Sequence, residues 1–152
     1  MRLTVYTDYS LRMLMYLAVN GDGLATIAGI AGAYGISKAH LTKVAHQLGV
    51  AGYVATVRGK GGGLRLARPA GEIGLGDVIR NTEPDMALVS CFGPVHGSCP
   101  IVPACGLRGA LHQAQLAFMA VLDRYSLADL VQKRAELGAL LHAAPAKASR
   151  QP

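Results

Sequence analysis

Residues 35–67 read G-I-S-K-A-H-L-T-K-V-A-H-Q-L-G-V-A-G-Y-V-A-T-V-R-G-K-G-G-G-L-R-L-A. Ser37 is a helix-capping residue type, and Leu41, Val44, Ala45 and Leu48 follow it at the spacing of one buried helical face. Lys38, Thr42, Lys43, His46 and Gln47 are left toward solvent. Directly after this helix, Tyr53–Val57 and Leu64–Ala67 read as short strands around Arg58-Gly59-Lys60-Gly61-Gly62-Gly63, whose glycines permit a tight hairpin tip. The glycine run is a poor phosphate-binding loop, because it lacks the G-K-[ST] ending and no helix follows it directly.

Upstream, Thr26 to Tyr34 has Ile27, Ile30 and Ala31 on one helical face, and Gly35 supplies a turn. Two short helices joined by a glycine-containing turn, the second with a basic polar face, make a helix-turn-helix. A hairpin straight after the second helix is then a wing, from which Arg58 and Lys60 can reach phosphates or a narrow minor groove. Before this unit, Thr7 is a cap for a first helix, with Asp8 in its first turn. Leu11, Leu14, Met15 and Ala18 form its buried face, and Asn20-Gly21-Asp22-Gly23 ends it. The fold class is therefore mainly α with a small β-hairpin, a winged helix-turn-helix.

Downstream, Leu75 to Arg80 suits a short helix broken by Asn81-Thr82-Glu83-Pro84. Leu107, Ala110, Leu111, Ala114, Phe118, Val121, Leu122 and Tyr125 then mark one stripe, about 27 Å long at 1.5 Å per residue. A small winged-helix unit cannot bury such a stripe completely, so antiparallel or crossed pairing with the same helix of a second copy is expected, giving a homodimer; packing within the chain is the alternative. Ser126 caps a last helix running through Leu130 to Leu141. The expected layout is a DNA-binding domain over 1–82, a cysteine loop over 83–105, a dimerisation helix and C-terminal helix over 106–142, and a tail over 143–152.

The chain has 152 residues, 51% hydrophobic, with a formal charge of +6 and a pI near 9.5. The excess positive charge suits a polyanionic partner. Nothing resembles a secretory signal or a membrane span, so a cytoplasmic protein with reduced thiols is expected. No Trp and two Phe argue against single-strand binding by base stacking. All three cysteines, Cys91, Cys99 and Cys105, lie in C-F-G-P-V-H-G-S-C-P-I-V-P-A-C, separated by seven and then five residues. Three thiols cannot pair off, and the Gly- and Pro-rich intervals favour an irregular loop. Metal or cluster ligation follows. Zinc sites usually pair closer cysteines, whereas an iron–sulfur cluster tolerates wider loops; either needs a fourth ligand from elsewhere. Unrelated small buried cysteines are the bland alternative.

Taken together, T-D-Y-S-L-R at 7–12, G-I-S-K-A-H-L-T-K-V at 35–44, V-R-G-K-G-G-G-L at 57–64, the three cysteines and S-L-A-D-L at 126–130 carry a resemblance. The chain resembles the NsrR-type nitric-oxide-sensing repressors, within the iron–sulfur winged-helix regulators that also include IscR, from Met1 to about Val131. The resemblance implies a cluster held by Cys91, Cys99, Cys105 and, from the other subunit, Asp8, with [4Fe-4S] preferred and [2Fe-2S] as the alternative. Arg12, one turn beyond Asp8, is placed to pair with it or to screen the anionic site. The resemblance further implies DNA contacts from Ser37, Lys38, His40 and Lys43, and a minor-groove contact from Arg58. Two departures stand out. The first cysteine interval is seven residues where five is common, and it contains His96, a candidate competing ligand whose alternative is a plain solvated loop histidine. Lys60 stands where the family often has Pro.

The implied function is a repressor of double-stranded operator DNA whose cluster responds to nitric oxide. A general iron–sulfur or redox-sensing regulator is the alternative within that class, although His112 lies too far beyond Cys105 to match the IscR ligand. A small electron-transfer protein is the alternative outside it. No nucleophile and base pair is apparent, so the chain is not expected to be an enzyme.

Overall fold

The computed structural model describes residues 2–92 and 99–143; His96 and most of the tail lie outside them. Helix α1 spans Val5–Asn20, and its cap is Thr4 rather than Thr7. The Thr4 hydroxyl accepts the Thr7 amide at 3.2 Å, while Thr7 lies inside the helix and is fully buried. Two cap-type residues three apart compete here, and a distant acid decides between them: the Thr4 amide donates to Glu83 Oε1 at 2.8 Å.

The centre of the core is α1. It packs against α3 (Lys38–Val50), β2 (Gly63–Leu66), α4 (Leu75–Thr82), α6 (Leu127–Leu130) and α7 (Arg134–His142). Met13, Leu14 and Leu17 are its most deeply buried apolar side chains, with Leu11 and Met15 only half-buried. The buried face is therefore wider than a single stripe, as suits a helix enclosed by neighbours on several sides.

Helix α2, Ile27–Tyr34, is capped by Thr26 and ends at Gly35, whose φ of 66° places it in the left-handed region. The Ile36 amide donates to Ala31 O at 3.1 Å, closing the turn that glycine makes possible. Ser37 occupies the N-cap position of α3 without a side-chain capping bond. Leu41, Val44, Ala45 and Leu48 are all buried, as their spacing predicts.

Strand β1, Val54–Val57, pairs antiparallel with β2, from Val54↔Leu66 to Val57↔Gly63. Ala25 adds a third edge: its amide donates to Leu64 O at 2.9 Å and its carbonyl accepts from Leu64 N at 2.7 Å. The glycines of the tip answer to this crowding. A Cβ on Gly63 would stand 2.7 Å from Ala25 O, and one on Gly62 would collide with Val57 O.

The long helix is α5, Gly106–Leu122. Beyond it the chain returns to the core: Leu75 N donates to Tyr125 O and Leu127 N donates to Ile73 O, both at 2.8 Å. The expected continuous last helix is two. Ser126 and Asp129 form a reciprocal capping box at the start of α6, and the Ser126 hydroxyl and amide hold the Asp129 carboxyl below the usual carboxylate range. The chain leaves helical geometry at Val131, which has φ −116° and packs into the core at 8% exposure. Helix α7 resumes at Arg134, whose Nε donates to Val19 O at 2.7 Å, satisfying a carbonyl near the end of α1. Among the described residues, no helix is long and apolar enough to cross a membrane.

Candidate functional site

The first two turns of α3 carry Ser37, Lys38, His40 and Lys43, all exposed. They point outward because the opposite face supplies Leu41 and Val44 to the core. Arg58 and Lys60 are exposed at the wing tip. Among the described residues, none of Lys38, Lys43, Arg58 and Lys60 forms an ion pair. The result is a basic surface made of one helix face and one hairpin tip, the two elements with which winged helices approach a duplex. His40 also touches α1, its ring centroid 6.2 Å from that of Tyr9.

Asp8 sits in the first turn of α1, its carboxylate 2.9 Å from Arg12 Nε. Both side chains are 45% exposed, and an i, i+4 pair of this kind is worth about 0.3–0.5 kcal/mol. Asp8 can thus exchange Arg12 for a stronger partner at little cost. Arg12 also lies over the Tyr34 ring, 5.7 Å from its centroid. Burial pushes the Tyr34 hydroxyl above its ordinary range, and the Arg12 guanidinium partly offsets this.

The three cysteines are free thiols. Cys91 is half-buried in the turn Ser90–Phe92, Cys99 is exposed, and Cys105 is half-buried at the N-cap of α5. Cys105 Sγ accepts the Arg108 amide at 3.4 Å, so its sulfur already faces the positive end of the helix dipole. Within one chain, no group of three His, Cys, Asp or Glu side chains converges among the described residues. The chemistry of the donor set fits an iron–sulfur group: three unpaired sulfurs, one at a helix N-terminus, with a weakly engaged carboxylate in reserve.

Sequence reasoning missed an open cleft of about 540 Å³ beside this region, lined by Phe92, Arg108 and His112 among others. Arg108 has a signal in hindsight, since it lies three residues after Cys105, within the first turn of α5. Phe92 has none, and His112, read from the sequence only as a poorly placed ligand, is brought edge to face with it at 6.1 Å by a fold that joins distant segments.

No residue of α5 is buried in the single chain. Leu111, Phe118 and Leu122 turn toward their own chain and are half-buried, whereas Leu107, Ala110, Ala114 and Val121 remain exposed. One edge of the apolar stripe is left without cover, with Leu107 at 67% exposure.

Comparison with known proteins places this geometry. The Rrf2 family, described as "Iron-dependent Transcriptional regulator", matches residues 3–133. The chain is 49% identical to the HTH-type transcriptional regulator NsrR of Bacillus subtilis over 142 residues, 93% of this chain and 97% of that protein. It is 49% identical over 141 residues to Protein aau3 of Rhizobium meliloti, covering 93% of this chain and 92% of that one. Among solved structures, the cysteine regulator CymR of B. subtilis superposes with a TM-score of 0.71 at 26% identity, over 88% of this chain and 98% of its own. T. potens IscR gives 0.72 at 25% identity, over 90% of each. A winged helix-turn-helix with a basic reading face, matched over nearly its whole length, is a transcription regulator and not an enzyme: the chain belongs to the Rrf2 family.

Proposed function

We propose that this chain is a cytoplasmic, homodimeric repressor that binds double-stranded operator DNA and releases it when nitric oxide reaches an iron–sulfur cluster. The observation that carries operator binding is the unpaired basic face of α3 and the wing. In a two-fold dimer the two α3 helices enter successive major grooves, roughly 34 Å apart or a multiple. The bare edge of α5 supports the dimer, and the similarity to NsrR proteins supports the signal.

On this reading Cys91, Cys99, Cys105 and Asp8 of the partner subunit hold the cluster, with [4Fe-4S] as the preferred form and [2Fe-2S] as the alternative. When bound, the group supplies an iron corner at which a carboxylate yields to a diatomic ligand more readily than a thiolate would. The protein's part is positional. Asp8 lies on α1, which packs against the reading helix α3, so engaging Asp8 across the dimer fixes one subunit's DNA-binding unit against the other's loop. Arg12 holds the Asp8 carboxylate when it is not so engaged. Release of Asp8 frees the two reading helices from their common spacing, and operator affinity falls in proportion to the difference between the two states.

The deciding experiment is anaerobic purification with iron and sulfide quantification, then operator binding before and after nitric oxide. Stoichiometric sulfide and a loss of binding on exposure are expected; affinity that ignores nitric oxide would refute the sensor.

Two substitutions test the parts. Asp8→Ala should give a cluster that forms but is lost faster under nitric oxide, and kinetics identical to the parent would remove Asp8 from the ligand set. Arg58→Ala should weaken operator binding by about 1–3 kcal/mol if the wing reads a base edge. A phosphate contact alone would instead reduce the salt slope by about one. Unchanged affinity and slope would show that the wing stays off the DNA.

A further inference from the structure

The start of α5 holds a cation that the ligand set does not use. The Arg108 amide donates to Cys105 Sγ at 3.4 Å. Its guanidinium reaches back over the ring of Phe92, 6.0 Å from the centroid, and Phe92 adjoins Cys91 in the same short turn. Arg108 therefore spans from the third cysteine to the neighbourhood of the first. Its side chain is anchored, since Phe92 is held in turn against His112. Among the described residues its guanidinium forms no ion pair, and Arg108 Nε is buried with no acceptor. The acid on the same cleft, Asp85, directs its carboxylate to the Ala87 amide at 3.0 Å and makes no ion pair with Arg108.

A buried guanidinium nitrogen without an acceptor is a costly arrangement that a neighbouring anion would relieve. Three thiolates and a carboxylate around an iron–sulfur group bring a net negative charge to this place. We propose that Arg108 is the charge-compensating positioning residue of the cluster site, its amide orienting Cys105 Sγ and its guanidinium neutralising the anionic ligand set from the Phe92 side. This deepens the cluster reading and rests on it. Hydrogen bonds to ligand sulfurs and nearby charge both set the reduction potential of such groups, and outer residues of this kind control how firmly metal is held. A cation beside the site favours the more reduced, more negative state, so removing it lowers the potential.

The test uses the full-length protein, purified anaerobically, as parent, Arg108→Gln and Arg108→Lys. The readouts are the midpoint potential from spectroelectrochemical titration and the rate of iron loss to a chelator. Arg108→Gln is expected to lower the potential and to shed iron about tenfold faster. Arg108→Lys keeps the charge but not the planar contact with Phe92, and is expected to recover most of the potential. A loaded Arg108→Gln protein with the parent's potential and iron-loss rate overturns this proposal alone. A parent without acid-labile sulfide overturns the cluster reading and this proposal with it. Loss of helical circular dichroism in cluster-free Arg108→Gln would assign Arg108 to the fold, which also overturns it.

Discussion

Cys99→Ala protein purified without air is expected to be colourless, with no visible iron–sulfur absorption and no acid-labile sulfide. Cys99 is exposed, and no side-chain hydrogen bond holds it among the described residues, so its removal takes nothing from the core. Any change therefore reports ligation and not stability, which sets this cysteine apart from its half-buried companions. On the proposed ligand set, loss of one thiolate of three would leave two sulfurs and a carboxylate, too few to retain the group through purification. Thermal unfolding of the cluster-free variant should match that of cluster-free parent. A Cys99→Ala protein that kept parental absorption would remove the loop from the site altogether.

On the proposed dimer joined through α5, Ala114→Glu is expected to leave monomers. Ala114 is exposed near the middle of the bare edge of α5, between Ala110 and Val121. Glutamate is a good helix former, so the isolated chain tolerates it. In the proposed helix-to-helix contact it would place an unpaired charge, costing about 3 kcal/mol or more, roughly a hundredfold or more in the dimer constant. Sedimentation equilibrium reads the change directly. Operator affinity should collapse with it, because two half-sites are no longer bound at once. Cluster content should fall too if Asp8 comes from the partner subunit. A dimer that survives Ala114→Glu would mean that another surface joins the subunits.

Much of this was legible in one chain. The α2–turn–α3–wing unit was, because its signals are local: a period near 3.6, a glycine at the turn, and glycines at the hairpin tip. The Asp8–Arg12 pair was legible for the same reason, being one helical turn apart. What escaped was decided by distant segments. Thr4 wins the α1 cap over Thr7 because Glu83 binds its amide. The last helix breaks at Val131 with neither Gly nor Pro to announce it. Ala25 joins the sheet through Leu64 although nothing around it reads as a strand. At the site, the cysteines and the basic face could be named from spacing. The assignment of Asp8 to a second subunit came only through resemblance, since no local pattern tells which copy a carboxylate serves.

The return of the chain after α5 also bears on how the protein is made. Leu127 and Val131 are 2% and 8% exposed in the same core as Met13 and Leu41, so the helix-turn-helix unit is sealed by residues synthesised roughly sixty positions after its wing. A nascent chain that has emerged only as far as Cys105 still lacks part of the interior of its own DNA-binding unit. A fragment cut there should be loosely packed and weak on DNA. Translation must pass Val131 before that interior is complete, and a message truncated between Cys105 and Leu127 should yield no stable DNA-binding fragment.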